Sequence, residues 1–144
     1  KKKISRQNIN NFVMHMAPCI EIVGYRQKKI GIKYLGDLCS DFGANVKFII
    51  GSKKKYKKIN INNLKTLLYS KKGNQKVNGN TNRVYKDPIN SLIFTLNKIK
   101  KDKVKLSKNF FIFTGSTVGV VPILYKGKYI GKIDNLGSVQ TVIF

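Results

Sequence analysis

The most regular apolar pattern in the chain has the period of a helix. Five apolar residues stand at spacings i, i+3, i+4, i+7 and i+10, namely Ile89, Leu92, Ile93, Leu96 and Ile99. Asp87 suits the N-cap before them, and Pro88 suits the first helical position, where a missing amide costs nothing. The pattern therefore predicts a main helix over Pro88–Lys101, whose last turn carries lysines that the helix dipole favours.

A second segment, 5–16, has a weaker pattern of the same kind. Four apolar residues share one face of a helix, namely Ile9, Phe12, Val13 and Met16. Pro18 would end such a helix, because the residue before a proline is displaced from helical geometry. We therefore predict a short N-terminal helix here.

Apolar and β-branched runs between turn residues predict strands along the rest of the chain. These runs are Cys19–Val23, 46–50, 64–70, 75–79, 110–114, 120–124, 128–130 and 138–144. A loop containing Gly36 and Asp41 is expected before the second strand, and 64–70 with 75–79 predicts a hairpin around Gly73. With two helices, these strands predict an α+β fold, mostly β, in one domain spanning 1–144.

The formal net charge of +23 brings nucleic-acid binding into consideration. Most basic residues are lysines, however, whereas base and phosphate recognition favours arginine. The dense lysine run at 53–58 is typical of a solvated loop. The phenylalanines that would have to stack on bases fall in predicted core strands, namely Phe48, Phe110, Phe111 and Phe113. A non-catalytic basic module that binds nucleic acid is therefore the alternative, not the leading interpretation.

The cysteine and histidine content limits the location and the metal chemistry. Cys19 and Cys39 form no CxxC pair, which indicates a reducing compartment, and no apolar run is long enough for a membrane span. The basic first residues lack an apolar stretch behind them, so they do not resemble a signal peptide. We expect a cytoplasmic protein. His15 is the sole histidine, so a structural zinc site is not expected.

Three motifs in order carry a resemblance to a known family. They are Ala-Pro-Cys-Ile-Glu-Ile-Val-Gly-Tyr-Arg at 17–26, Asp-Pro-Ile-Asn-Ser-Leu at 87–92, and Phe-Thr-Gly-Ser-Thr at 113–117 with Leu-Gly-Ser-Val at 136–139. They resemble the 2-keto-4-pentenoate hydratase and 2-oxo acid decarboxylase branch of the fumarylacetoacetate hydrolase superfamily. The resemblance implies a fumarylacetoacetate hydrolase-like mixed β-sandwich or roll. It also implies that this chain is the C-terminal part of the catalytic domain, with the N-terminal catalytic segment absent.

The resemblance further implies a site for a 2-oxo acid chelated to Mg²⁺ or Mn²⁺, hard cations that prefer oxygen ligands. Glu21 matches one of the family's metal ligands. It is the only glutamate of the chain, so the family's Glu-x-Glu pair has no counterpart. Catalytic residues are expected in the missing N-terminal segment. The implied substrate-binding residues are Thr114, Gly115, Ser116, Asp41 and Asn45.

The implied activity is hydration of a 2-hydroxy-2,4-dienoate to a 4-hydroxy-2-oxo acid. A small 2-oxo acid is then the ligand. Either a homo-oligomer or a complementing N-terminal segment completes the site. No membrane partner is expected. Decarboxylation of a 2-oxo acid and hydrolysis of an acylpyruvate use the same chelate and stay open. A decayed gene fragment without a function is the last alternative.

Overall fold

The computed structural model describes residues 3–26, 33–56, 60–72 and 74–144. In chain order its helices and strands are β1 (His15–Met16), β2 (Cys19–Val23), α1 (Leu35–Ser40), β3 (Asn45–Ile50), β4 (Lys54–Lys55), β5 (Lys65–Ser70), β6 (Lys76–Asn80), α2 (Pro88–Lys101), β7 (Gly127–Ile133) and β8 (Gly137–Ile143). Strands predominate and α2 is the one long helix among them, so the α+β prediction is confirmed at this level. No helix in these ranges has the length and apolar character needed to cross a bilayer.

A four-stranded antiparallel sheet, with strand order β6-β5-β7-β8, is the largest sheet of the structure. Antiparallel β2 and β3 form a separate ribbon that packs against β8. A Cβ added to Gly131 on β7 would lie 3.4 Å from Ile20 Cγ1 on β2. The missing side chain at position 131 therefore lets the ribbon lie close to the sheet.

The main helix α2 begins and ends where the sequence predicts. Asp87 caps it, since its Oδ1 accepts a hydrogen bond of 2.8 Å from the Ile89 amide. The other carboxylate oxygen of Asp87 lies 2.6 Å from Arg6 Nη2. The cap and the ion pair thus join the start of the helix to the N-terminal segment.

The main apolar cluster lies between α2 and the N-terminal segment. Its buried members are Ile4, Ile9, Ile89 and Leu96, and Ile112 packs against them. Asn97 adds a polar link, because its side-chain amide donates to the Ile4 carbonyl at 2.9 Å and its oxygen accepts from the Ile4 amide at 3.1 Å. The backbone amide and carbonyl of Ile4 are therefore both hydrogen-bonded to α2.

The predicted N-terminal helix over 5–16 is wrong. A 3-10 turn at Ile9–Asn11 and the short strand β1, paired with β4, occupy this segment. The Asn8 side chain accepts from the Ser5 amide and donates to the Lys3 carbonyl. Such local bonds compete with helix formation, and the apolar stripe is too short to overcome them.

Two predicted strands, 110–114 and 120–124, are also wrong. Neither belongs to a strand in the structure, because no other described segment pairs with it. The remaining predicted strands are present, with ends shifted by a few residues. Gly73, at the centre of the predicted hairpin, lies outside the described residues, although its strands β5 and β6 do pair.

Two predicted loops contain regular structure. The segment around Gly36 forms α1, whose first turn is held by Asp37 Oδ2, which accepts from the amides of Lys33 and Tyr34. Within the lysine run, Lys54–Lys55 forms β4 by pairing with β1. Positions 57 and 58 of that run lie outside the described residues.

Candidate functional site

The Glu21 side chain lies on the open face of β2. In the β2–β3 register Glu21 stands opposite Phe48, so the two side chains share one face of the ribbon. The Phe48 ring stacks on the Phe113 ring, with centroids 3.8 Å apart. Ile20 has the opposite orientation, toward the four-stranded sheet. Glu21 is therefore exposed on the side of β2 that faces the segment around Phe113.

A cavity of about 1280 Å³ lies beside β2, and every residue of that strand, Glu21 included, lines it. Residues 12–25 and 108–123 line it, together with side chains of α2 and of the larger sheet. Most of the lining is apolar. The charged residues in it are Glu21, Lys53, Lys108 and Lys132. Since apolar walls lower the local dielectric, charge interactions inside the cavity are stronger than at an open surface.

Thr114, Gly115 and Ser116 line the same cavity as Glu21. Ser91 on α2 fixes the start of this turn by donating to the Thr114 carbonyl at 2.7 Å. Gly115 has a φ of 133°, a conformation that L side chains rarely adopt. Among the described residues, no acceptor bonds the amides of Gly115 and Ser116. These two amides are available to an anion such as a carboxylate.

Asp41 and Asn45 lie outside the residues that line the cavity. Asp41 is buried, with Oδ1 2.6 Å from Arg26 Nη1, and its hydrogen bonds from Arg26 hold the pKa of this carboxyl below its usual value. Arg26 also donates to the Asn45 carbonyl. The Asn45 side-chain amide donates to Glu21 Oε1 at 2.8 Å. The structure thus brings Asn45 to Glu21, while contact of Asp41 or Asn45 with a substrate stays a prediction.

The residues around Glu21 do not make a complete cation site. In the described parts of the chain, no three His, Cys, Asp or Glu side chains come together in a way that could hold a metal ion. A hard divalent cation takes about six oxygen ligands, several of them from carboxylates or water. Glu21 can supply one of them, so this chain alone does not fit Mg²⁺ or Mn²⁺.

Two further residues of the cavity wall carried no functional signal in the sequence. Lys53 Nζ lies 4.9 Å from the centroid of the Phe111 ring, which is a cation–π contact. The sequence does not predict it, because Lys53 is one of several neighbouring lysines. Cys19 stands two positions before Glu21 and so on the same face of β2, which strand alternation could have indicated. Cys19 is exposed, yet the pKa of its thiol is raised to about 11. The larger cause is partial desolvation by the surrounding protein, and the smaller one is the negative charge of Glu21.

The expectation that Phe48, Phe110 and Phe111 are core residues is wrong. They are 41%, 43% and 57% exposed, and among the described residues no strand pairs with 110–114. Phe113 is partly buried through its stack on Phe48. The exposed Phe111 ring lies beside Lys53, which removes one of the objections to nucleic-acid binding that the sequence raised.

Neither a protein-family model nor a curated protein matches this chain. Solved structures do. One is 4-oxalocrotonate decarboxylase from Pseudomonas putida G7 complexed with magnesium and adipate, at 19% identity and a TM-score of 0.75. The same enzyme complexed with calcium and acetate matches at 19% identity and a TM-score of 0.74. The two proteins share a fold. Each match covers 91% of this chain and 49% of the decarboxylase, so this chain spans about half the length of that enzyme.

Proposed function

We propose that this chain forms one wall of the active-site cavity of an enzyme that acts on 2-oxo acids, of the hydratase or decarboxylase type. The exposure of Glu21 to the same cavity as 114–116 carries the proposal. The motifs that resemble this branch of the fumarylacetoacetate hydrolase superfamily fall on β2, on α2 and on that turn. The fold shared with a decarboxylase that was complexed with divalent cations and carboxylates supports the same class.

In this proposal the residues of the chain bind and orient the substrate. The amides of Gly115 and Ser116 donate to the substrate carboxylate, and the lysines in the cavity attract the anion. Glu21, oriented by Asn45, offers one carboxylate toward a cation. The other cation ligands and the catalytic residues come from outside this chain, so no chemical step is assigned to it alone.

Within this class, hydration of a 2-hydroxy-2,4-dienoate is the leading reaction. Decarboxylation of a 2-oxo acid is the alternative, and hydrolysis of an acylpyruvate is the third. We expect the chain alone to leave 2-hydroxypenta-2,4-dienoate unchanged, because the residues that move protons are not part of it. The ultraviolet absorbance of the conjugated substrate measures this directly. Rapid hydration by the chain alone would contradict the assignment of the catalytic residues to another segment.

Binding tests the proposal without requiring turnover. We expect 2-oxopentanoate to shift the backbone NMR signals of Gly115, Ser116 and Glu21 when Mg²⁺ is present, with weak affinity. Pentanoate lacks the keto oxygen and therefore cannot chelate the ion, so it should leave the Glu21 signal unchanged. Glu21→Gln should remove the Mg²⁺-dependent part of the shift, whereas Asp134→Asn, at an exposed carboxylate in the β7–β8 turn, should keep it.

Calorimetry with Mg²⁺ alone provides a second readout. Weak binding or none is expected, since one carboxylate does not hold the ion. Tight stoichiometric binding would show that the cation site is complete within this chain. If neither pentanoate nor 2-oxopentanoate shifts any signal at the cavity, the proposed function is wrong.

A further inference from the structure

The Ser91 hydroxyl forms its hydrogen bond outside its own helix. A serine in a helix interior can donate to the carbonyl one turn earlier in the same helix. Ser91 Oγ donates instead to the Thr114 carbonyl, 23 positions further along the chain, at a distance of 2.7 Å. The bond is partly buried and joins α2 to the turn at 114–116, which lines the cavity.

Ser91 itself does not line the cavity, although its neighbours Ile89 and Leu92 on α2 do. The Ser91 side chain therefore does not touch a molecule bound in the cavity. Any influence that it has on such a molecule passes through the Thr114 carbonyl.

The bond to this carbonyl sets the direction of the next amide. The Thr114 carbonyl and the Gly115 amide belong to one planar peptide unit, and no peptide bond among the described residues is cis. In a trans peptide unit the C=O and N–H bonds point in opposite directions. Since Ser91 holds the carbonyl on the side of α2, the Gly115 N–H points away from that helix.

Val84 restrains the same peptide unit from its other end. A Cβ added to Gly115 would lie 3.2 Å from Cγ1 of Val84, which is buried. The Gly115 Cα is thus held against Val84, while Ser91 holds the carbonyl that precedes it. Among the described residues, no acceptor bonds the Gly115 amide. An oriented donor without a partner is suited to an acceptor that arrives with a ligand.

The Ser91 bond also affects the strength of this donor. A hydrogen bond accepted by a carbonyl polarises its peptide unit, which leaves the N–H at the other end more positive. Such a donor favours a charged acceptor over a neutral one, because charge-assisted hydrogen bonds are the stronger ones. The carboxylate of a 2-oxo acid is an acceptor of this kind.

We propose that Ser91 is a positioning residue for carboxylate binding. It holds the peptide unit between Thr114 and Gly115 in the orientation that presents the Gly115 N–H to the carboxylate of the ligand. The role rests on the proposed function, in which this amide binds the substrate carboxylate.

Titration of the ¹⁵N-labelled chain with sodium pentanoate tests the role without metal. In the wild-type chain the Gly115 amide signal should shift as pentanoate binds. Ser91→Ala should raise the Kd about tenfold, because one oriented hydrogen bond to a charged group is lost. Ser91→Thr keeps a hydroxyl at this position and should restore the wild-type affinity.

Thr95→Ala is the matched control on the same helix. Thr95 is half-buried one turn further along α2, and its hydroxyl bonds to no other described residue. Removal of this hydroxyl should leave the Kd for pentanoate unchanged.

The direction of the Gly115 N–H bond separates positioning from a general effect on stability. Its residual dipolar coupling should change in Ser91→Ala and return to the wild-type value in Ser91→Thr. The couplings of Ile130 and Val139, buried in the four-stranded sheet, should be the same in all three chains. If Ser91→Ala does not fold, Ser91→Cys decides, since a thiol has nearly the same size but is a weak donor.

Equal pentanoate affinity in the wild type and in a folded Ser91→Ala or Ser91→Cys chain would overturn the proposal. An unchanged Gly115 N–H coupling in that variant, or a Ser91→Thr chain that binds as weakly as Ser91→Ala, would also overturn it. If the wild-type chain itself does not bind pentanoate at Gly115, carboxylate binding by this turn is wrong, and the role of Ser91 is wrong with it. The two failures are therefore distinguishable.

Discussion

The Glu21 carboxylate influences two side chains next to it. Asn45 donates a hydrogen bond of 2.8 Å to its Oε1. The Cys19 thiol, on the same face of β2, resists ionisation, because the surrounding protein disfavours the charged form and the negative charge of Glu21 opposes a thiolate. The reactivity of Cys19 therefore reports on the charge at position 21.

Alkylation of the two cysteines measures this effect within one molecule. At about pH 8, iodoacetamide should modify Cys19 more slowly than an ordinary thiol, on the order of tenfold, because little thiolate forms. Cys39, exposed on α1, serves as the internal reference. Glu21→Gln should accelerate the modification of Cys19 and leave that of Cys39 unchanged, as mass spectrometry of the digested protein can measure. Equal acceleration at both cysteines would show a general loosening of the structure.

The Arg26–Asp41 pair makes stability depend on acid. Its hydrogen bonds hold the pKa of folded Asp41 below the unfolded value of about 3.9. The pair therefore makes its full contribution to the free energy of unfolding at any pH above about 3.9. It is lost as the pH falls further, through the folded pKa. Asp41→Asn should lower the free energy of unfolding at neutral pH and flatten its decline in acid, measured by urea unfolding. Asp134→Asn, at an exposed position, serves as the control for the removal of a carboxylate.

Among the elements, β6 is held tightly against the segment that follows residues 114–116. The Asn80 amide donates to the Thr117 carbonyl at 3.2 Å. A Cβ on Gly79 would collide with that carbonyl and would lie 2.6 Å from Thr66 Oγ1. Only glycine fits between β5 and residue 117, so this position determines how closely the segment carrying Ser116 approaches the sheet.

Gly79→Ala should therefore destabilise the fold by about 1–3 kcal/mol, since backbone has to move to admit the methyl group. Gly36→Ala is the matched control. It lies in α1 with nothing within 4 Å of the added carbon, and alanine should stabilise the protein by about 0.4–1 kcal/mol. Urea unfolding measures both changes. A neutral Gly79→Ala would mean that residue 117 can withdraw without cost.

The elements that the sequence predicts well are those with local determinants. α2 has a cap, a proline at its start and an apolar stripe, and its observed bounds equal the predicted ones. The strand prediction for 110–114 fails because a strand needs a partner, and no local pattern shows whether the partner is present. In the site, strand alternation places Glu21 on one face, but only the fold shows that Asn45 and the turn at 115 share its surroundings. Lys53 could not be distinguished from its lysine neighbours.

At the scale of the whole molecule, charge opposes folding. A net charge of +23 on 144 residues produces repulsion that grows as the chain becomes compact. Three ion pairs are present among the described residues, and they use three of the six acidic residues. Most of the lysines therefore have no carboxylate close enough to compensate them.

Added salt should stabilise this protein. Between 0.01 M and 0.1 M sodium chloride the screening length falls from about 30 Å to about 10 Å, which weakens repulsion across the molecule. We expect Tm to rise by a few degrees over this range in a thermal melt followed by circular dichroism. An unchanged or lower Tm would show that the lysines are too far apart to repel one another appreciably.

The double hydrogen bond between Asn97 and Ile4 spans 93 residues of sequence. During translation, at about 5–20 residues per second, Ile4 and Ile9 consequently wait roughly 5–19 s before α2 exists to cover them. Both isoleucines are thus exposed to ribosome-associated chaperones for that interval. Slow codons between Ile9 and α2 would lengthen this interval and would increase the opportunity for aggregation.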